Sequence, residues 1–322
     1  MIKPPKAITF LTAFIITSLV LVATLSAGEA PSPFTIILLP DTQNYLKYEG
    51  ADKKFLAQTR WIKENKDKLN IKFVIHEGDI TDDNSPEQWK KAKACMEILD
   101  GCVPYALCVG NHDIGYKGPA KSPVCEYFKE SDLSKEKGWG GKMPEEDCFW
   151  YMFEAGSEKY VILSLGLGPN DKMLKWADGI VEANKDCHVL MVTHDYLDSD
   201  GRLSNKKTKK NATAYGAYPD GSLRNTGEQI WDKHVKKHGN YIMVFSGHYE
   251  GPASKKSMKG ENGNIVHQMM ANYQYQEGGG NGYLRILKFD QSQKKCQVST
   301  YSPYLDKFWK DDANEFSLYF AD

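Results

Sequence analysis

Val103-Pro104-Tyr105-Ala106-Leu107-Cys108-Val109 runs directly into Gly110-Asn111-His112-Asp113, and this junction decides how the chain is read. An apolar strand that ends this way delivers an amide oxygen, an imidazole and a carboxylate to one sheet edge. Buried packing has no use for that set, whereas a metal-dependent hydrolytic site does. Four other apolar runs end in the same manner. Phe34–Leu39 leads to Pro40-Asp41-Thr42-Gln43, and 71–75 leads to Glu77-Gly78-Asp79. His188–Val192 leads to Thr193-His194-Asp195, and 241–245 leads to Gly247-His248-Tyr249-Glu250. One such ending is explained by a turn or a helix cap. Five in series are not. In open α/β sheets, ligands gather outside the carboxyl ends of strands, and Gly78, Gly110 and Gly247 let the backbone turn sharply there.

Helical patterns separate the runs. Residues 52–69 place Phe55, Leu56, Trp61 and Ile62 inward, and 86–99 opens on Pro86 after Ser85. With strands at 34–39, 71–75 and 103–109, the β-α-β-α-β order predicts parallel pairing with helices outside. A loop-rich insertion spans 115–147. Strands at 149–154 and 160–165 form a pair about Gly156-Ser157, followed by helices at 172–184 and 226–238 and strands at Ile265–Ala271, 283–289 and 297–301. One α/β domain with a mixed sheet over 32–322 is the economical reading.

The chain has 322 residues, 41% apolar and 26% charged, with a net charge of −1, so nothing marks a nucleic-acid partner. Lys206-Lys207-Thr208-Lys209-Lys210 reads as a solvated loop. At the N-terminus, Lys3 and Lys6 precede an apolar run over 7–25 and the small residues Ser26-Ala27-Gly28-Glu29-Ala30. Residues 1–27 therefore read as a secretory signal, which places the protein in the periplasm or outside the cell. Left uncleaved, the segment is a membrane anchor, and it is the only route to membrane association that the sequence offers. Seven cysteines suit an oxidising compartment but cannot all pair within one chain. Cys108, inside a central strand, is the candidate odd thiol; a bridge between Cys125 and Cys148 would pin the Gly- and Lys-rich loop they bracket. His76 reads either as support for the site or as a core histidine. His234 and His238, at i,i+4 spacing without the Glu of a zinc-protease motif, read as a contact at a helix C-terminus.

Taken in order, the five strand ends resemble the calcineurin-like (binuclear) metallophosphoesterase family. That family's pattern is Asp-x-His, Gly-Asp-x-x-Asp, Gly-Asn-His-Asp/Glu, a lone His and Gly-His-x-His. The resemblance covers about 34–301, and Gly78-Asp79-Ile80-Thr81-Asp82 matches the second motif closely. It implies two mixed β-sheets packed as a sandwich flanked by helices, a four-layer architecture. It also implies two divalent ions. Asp79 would bridge them, Asp41 would bind the first, and Asn111, His194 and His248 would complete the second. His112 would act as general acid on the leaving oxygen and not as a ligand, with Asp113 holding and tuning it from behind. Gln43 and Glu250 stand where the family carries histidines. The first site would then be Asp41, Gln43 and Asp79, with Glu250 as a candidate fourth donor. Such an oxygen shell favours Mn among the eligible ions Mn, Fe, Zn and Mg. Asn225-Thr226-Gly227-Glu228-Gln229-Ile230-Trp231 and Gly282-Tyr283-Leu284-Arg285-Ile286-Leu287 are similar to a subgroup whose first motif is Asp-Thr-Gln.

The implied reaction is hydrolysis of a phosphate ester, in which a hydroxide bridging the two ions attacks phosphorus and His112 protonates the departing oxygen. Mono- and diester substrates both fit, and the partner is a small phosphorylated molecule. Tyr215, Tyr218, Tyr273 and Tyr275 are candidates to line its groove, or are ordinary loop tyrosines. The competing reading is a non-catalytic surface binding protein on the same scaffold, its first metal site degraded at Gln43 and Glu250.

Overall fold

Every residue of strand β1 (Phe34–Leu39) is buried, Thr35 included. A strand with no polar face belongs in the middle of a sheet covered on both sides. The structure, a computed structural model, describes residues 1–3, 32–115 and 121–320. The expected signal segment lies almost wholly outside the described residues. From β1 the chain passes α1 (Gln43–Lys47) and α2 (Lys53–Asn65) and returns along β2 (Ile71–His76), parallel to β1. Then α3 (Pro86–Met96) and β3 (Tyr105–Leu107) repeat the move, with β3 parallel to β2. The short helices α4 (Asn111–Ile114), α5 (Val124–Tyr127) and α6 (Glu130–Leu133) lead to β4 (Trp139–Lys142).

A hairpin of β5 (Phe149–Ala155) and β6 (Glu158–Ser164) turns at Gly156, where φ is +60°. Next come α7 (Asp171–Ala183), β7 (His188–Val192), α8 (Gly227–Lys233) and β8 (Tyr241–Ser246). The chain ends in β9 (Ala253–Lys259), β10 (Ile265–Ala271), β11 (Leu284–Asp290), β12 (Lys295–Ser302), β13 (Lys307–Trp309) and β14 (Phe316–Tyr319).

These strands form two seven-stranded sheets. One runs β13-β12-β11-β1-β2-β3, with β14 also on β12; the other runs β4-β5-β6-β7-β8-β10-β9. Both mix parallel and antiparallel pairs. Their inner faces interlock through aromatic rings, Phe34 on Tyr160 at 5.1 Å and Phe73 on Tyr151 at 5.3 Å between centroids. Each such contact contributes about 1 kcal/mol beyond the area it buries. Ser164 Oγ donates across the sheets to the Leu107 carbonyl at 2.8 Å. Phe55 and Ile62 of α2 and Trp89 of α3 join the core of the first sheet, and Met173, Leu174 and Val181 of α7 join that of the second. The fold is therefore the α/β sandwich of two mixed sheets flanked by helices. No described helix is long and apolar enough to cross a membrane.

Some boundaries differ from expectation. β3 is three residues long, because Pro104 has no N–H to give the ladder and the chain turns toward Gly110 after Leu107. The helix expected over 226–238 stops at Lys233, where His234 takes φ −132°, and a 3₁₀ turn, Val235–Lys237, follows. All seven cysteines are free thiols. Cys108 is wholly buried, as expected. Cys125 instead donates to Asp147 Oδ1 at 3.3 Å and Cys148 to the Leu165 carbonyl at 3.6 Å, so the bridge between them is not formed.

Candidate metal centre

The three glycines at strand ends are required by close approach. A Cβ on Gly78 would lie 2.5 Å from His194 Nδ1, one on Gly110 2.2 Å from Asp79 Oδ1, and one on Gly247 2.2 Å from Asp41 Oδ1. Asp79 and His248 themselves take positive φ, +48° and +75°, a strained choice for residues with a side chain. The turns thus crowd carboxylates and imidazoles together at the edge shared by β1, β2, β7 and β8.

Asp79, His194 and His248 are buried and bring one ligand atom each within 4.8 Å of the others. Both imidazoles are oriented by backbone carbonyls. His194 Nδ1 faces Glu77 O at 2.8 Å and His248 Nε2 faces Lys210 O at 2.6 Å. A carbonyl accepts only, so these nitrogens carry the hydrogens, which leaves His194 Nε2 and His248 Nδ1 as electron-pair donors. His194 Nε2 sits 3.1 Å from Asp79 Oδ2, yet the contact lacks hydrogen-bond geometry. Asp79 Oδ1 accepts the backbone N–H of His112 at 2.9 Å.

Asp41 is held on one side only. Its Oδ2 accepts Asn272 Nδ2 and Gln274 Nε2, each at 3.0 Å, and the His248 N–H at 3.3 Å. Its Oδ1 has no partner. The same is true of Gln43 Oε1, Asn111 Oδ1, Gln274 Oε1 and His194 Nε2, all buried. A buried polar atom left without a partner costs about 1–3 kcal/mol. Several around one strand-end cluster fit a set of cation ligands, because a divalent ion satisfies lone pairs that no N–H reaches.

The electrostatics agree. Burial alone would lower the His194 pKa, but Asp79 and Asp41 outweigh it and lift the imidazole to about 10. Burial opposes the Asp79 charge, yet His194 holds that carboxyl down at about 2. Burial drives Asp41 well above the usual carboxylate range. Asp41 and Asp79 thus both act on the one buried imidazole of His194.

Two expected residues go elsewhere. Glu250 is exposed and pairs with Lys210 at 2.9 Å, so the structure does not bring it to Asp41. Asp113 does not hold the His112 ring. Its carboxylate accepts the N–H groups of Ile80 (3.1 Å), Thr81 (2.8 Å) and Gly110 (2.9 Å) and the Thr81 hydroxyl (3.0 Å). The His112 ring is oriented by the Asp82 carbonyl, 2.6 Å from Nδ1. Among the tyrosines, Tyr215 packs against the His248 ring at 5.7 Å between centroids, while Tyr273 is a core residue bonded to Asn314. Asn272 and Gln274 were missed by the sequence reading. The signal was available, since they follow the apolar end of β10 just as Asp41 follows β1.

Oxygen and imidazole donors gathered at the strand ends of a two-sheet α/β sandwich define a metal-binding hydrolase scaffold. Residues 34–252 match the calcineurin-like phosphoesterase family, and the chain belongs to it. It is 34% identical over 302 residues to "Uncharacterized protein YvnB" of Bacillus subtilis (strain 168). That match takes in 90% of this chain but 22% of the relative, so the chain spans about a fifth of that protein's length. In fold it is similar to purple acid phosphatase PPD1 from yellow lupin (Lupinus luteus) seeds, with a TM-score of 0.56 and 13% identity over 89% of this chain and 54% of that one.

Proposed function

We propose that this protein hydrolyses small phosphate esters with two divalent ions held at the strand ends. The observation that carries the reading is the set of buried, unpartnered donor atoms on Asp41, Gln43, Asn111 and His194. The two carbonyl-fixed imidazoles beside them are oriented as metal-bound histidines are. In this reading Asn111, His194 and His248 would hold one ion and Asp41 and Gln43 the other, with Asp79 contributing to both. Gln274 Oε1 takes the place proposed for Glu250. When bound, the ions supply Lewis-acid activation of water and of the phosphoryl group. His112 gives its Nδ1 hydrogen to the Asp82 carbonyl, which leaves Nε2 to pass a proton to the departing oxygen. The all-oxygen first site favours Mn²⁺, and Gln43 belongs with the Asp-Thr-Gln subgroup. Export through the N-terminal segment completes the proposal.

The test is turnover of p-nitrophenyl phosphate and its bis-ester after chelation, with Mn²⁺, Mg²⁺ or Zn²⁺ restored one at a time. Activity that returns with an ion supports the reading, and the ratio of the two esters sorts mono- from diesterase. No turnover with any ion would leave the scaffold as a binding protein.

A further inference from the structure

A second convergence of donors lies outside the strand-end centre. His234 Nδ1 is 2.5 Å and His238 Nε2 2.8 Å from a single oxygen, Oδ1 of Asp178 on α7. One ligand atom from each of the three residues falls within 4.8 Å of the others. The i,i+4 spacing of the histidines is realised through the 3₁₀ turn after α8 and not on a continuous helix, which sets their rings 5.1 Å apart and 66° to one another. His234 is fully buried, and its far nitrogen is fixed by the Tyr241 hydroxyl at 2.5 Å. The Asp178 side chain is 33% exposed, so the cluster is closed behind and open in front. A plain hydrogen-bonded tie would spread two donors over both carboxylate oxygens. Here both imidazoles address one oxygen, and among the described residues none donates to the other.

We propose that Asp178, His234 and His238 form a separate site for a divalent cation of the zinc type. Two imidazoles and one carboxylate suit Zn²⁺, Co²⁺ or Ni²⁺ over Mg²⁺, Ca²⁺ or Mn²⁺, and water completes the open side of the shell. The Tyr241 hydroxyl orients His234 as partners of metal-bound histidines do. The site is remote from the strand-end centre. His238 precedes β8 and His248 follows it, and six residues of strand separate the two ends by about 20 Å. An ion there clamps α7 to the start of β8.

The full chain, stripped with chelator, is titrated with Zn²⁺, and with Co²⁺ followed by its visible absorption. Wild type should bind one more zinc per chain than His238→Ala or Asp178→Asn. Zinc should raise the wild-type melting temperature more than it raises that of either variant. Turnover of p-nitrophenyl phosphate with Mn²⁺ should be the same in all three. Asp178→Asn keeps a hydrogen-bond acceptor at the site and so guards against misfolding of the alanine variant. Equal zinc stoichiometry in the wild type and a folded variant would overturn the proposal and leave a hydrogen-bonded tie between helices.

Discussion

The main-chain oxygen of Asp82 lies 2.6 Å from Nδ1 of His112. Because a carbonyl only accepts, Nδ1 bears the hydrogen, and in the proposed reaction Nε2 would be the nitrogen that exchanges protons. The His112 backbone N–H is at the same time anchored on Asp79 Oδ1 at 2.9 Å. The backbone is thereby tied to Asp79 while the ring reaches Asp82.

Replacing His112 by Ala should therefore lower kcat by about 10²–10⁴-fold while metal content stays at the wild-type level. Steady-state kinetics paired with metal analysis of the same preparation checks this. A parallel loss of metal would make His112 a ligand instead.

Asp113 acts on the loops. Its Oδ2 takes Ile80 and Gly110, and its Oδ1 takes Thr81 twice, so both oxygens face donors. Burial and the nearby Asp79 raise its pKa to about 6, and the donors hold it down from going further. In Asp113→Asn an NH₂ group must point at N–H groups whichever way the amide is turned. We expect a loss on the order of 2 kcal/mol in urea unfolding at pH 7.5, with weaker metal binding because Gly110 and Asp79 shift together.

Why adjacency in sequence misled here is a matter of helix geometry. His112 and Asp113 are consecutive on α4, and consecutive helical residues point about 100° apart, so the carboxylate faces away from the ring. The five strand ends were legible because each donor follows an apolar run whose burial fixes its direction. The Asp82 carbonyl was not legible, since every residue has one. β9 escaped notice because its alternation is set by serines and lysines on an exposed edge, the composition that protects edges from pairing. Glu250 kept the family spacing but not the burial, and Lys210 captures it at the surface.

Gln274 holds Asp41 Oδ2 through its amide nitrogen, while its own oxygen has no partner. Gln274→Leu removes the hydrogen bond and the donor together. On the proposed two-ion reading, Mn²⁺ affinity at the first site should fall about 10–100-fold, while an ion held by His194 and His248 would be retained. Isothermal titration with Mn²⁺ should show one weakened site and one unchanged. Uniform weakening of both would show that Gln274 does not donate to the first ion.

His76 supplies a pH test. The Gly78 N–H donates to its Nδ1 at 3.2 Å, so the ring hydrogen sits on Nε2 and is given to Thr42 Oγ1 at 3.0 Å, whose own hydrogen goes to the Ile80 carbonyl at 3.0 Å. This chain ties the turn after β1 to the turn after β2, and it requires a neutral ring. Burial, aided by the charge on His194, lowers the His76 pKa to about 3. In the unfolded chain the value is about 6.5. Between those two values the unfolded state binds a proton that the folded state refuses. The contribution is therefore complete above about pH 6.5 and is lost as pH falls toward 3, at up to about 1.4 kcal/mol per pH unit. Urea unfolding of wild type and His76→Asn at pH 7, 6, 5 and 4 isolates the effect, because the other groups titrate alike in both. The advantage of wild type should shrink steadily below pH 6.5. An advantage that stays constant over that range would show that the folded protein protonates His76 as readily as the unfolded chain does.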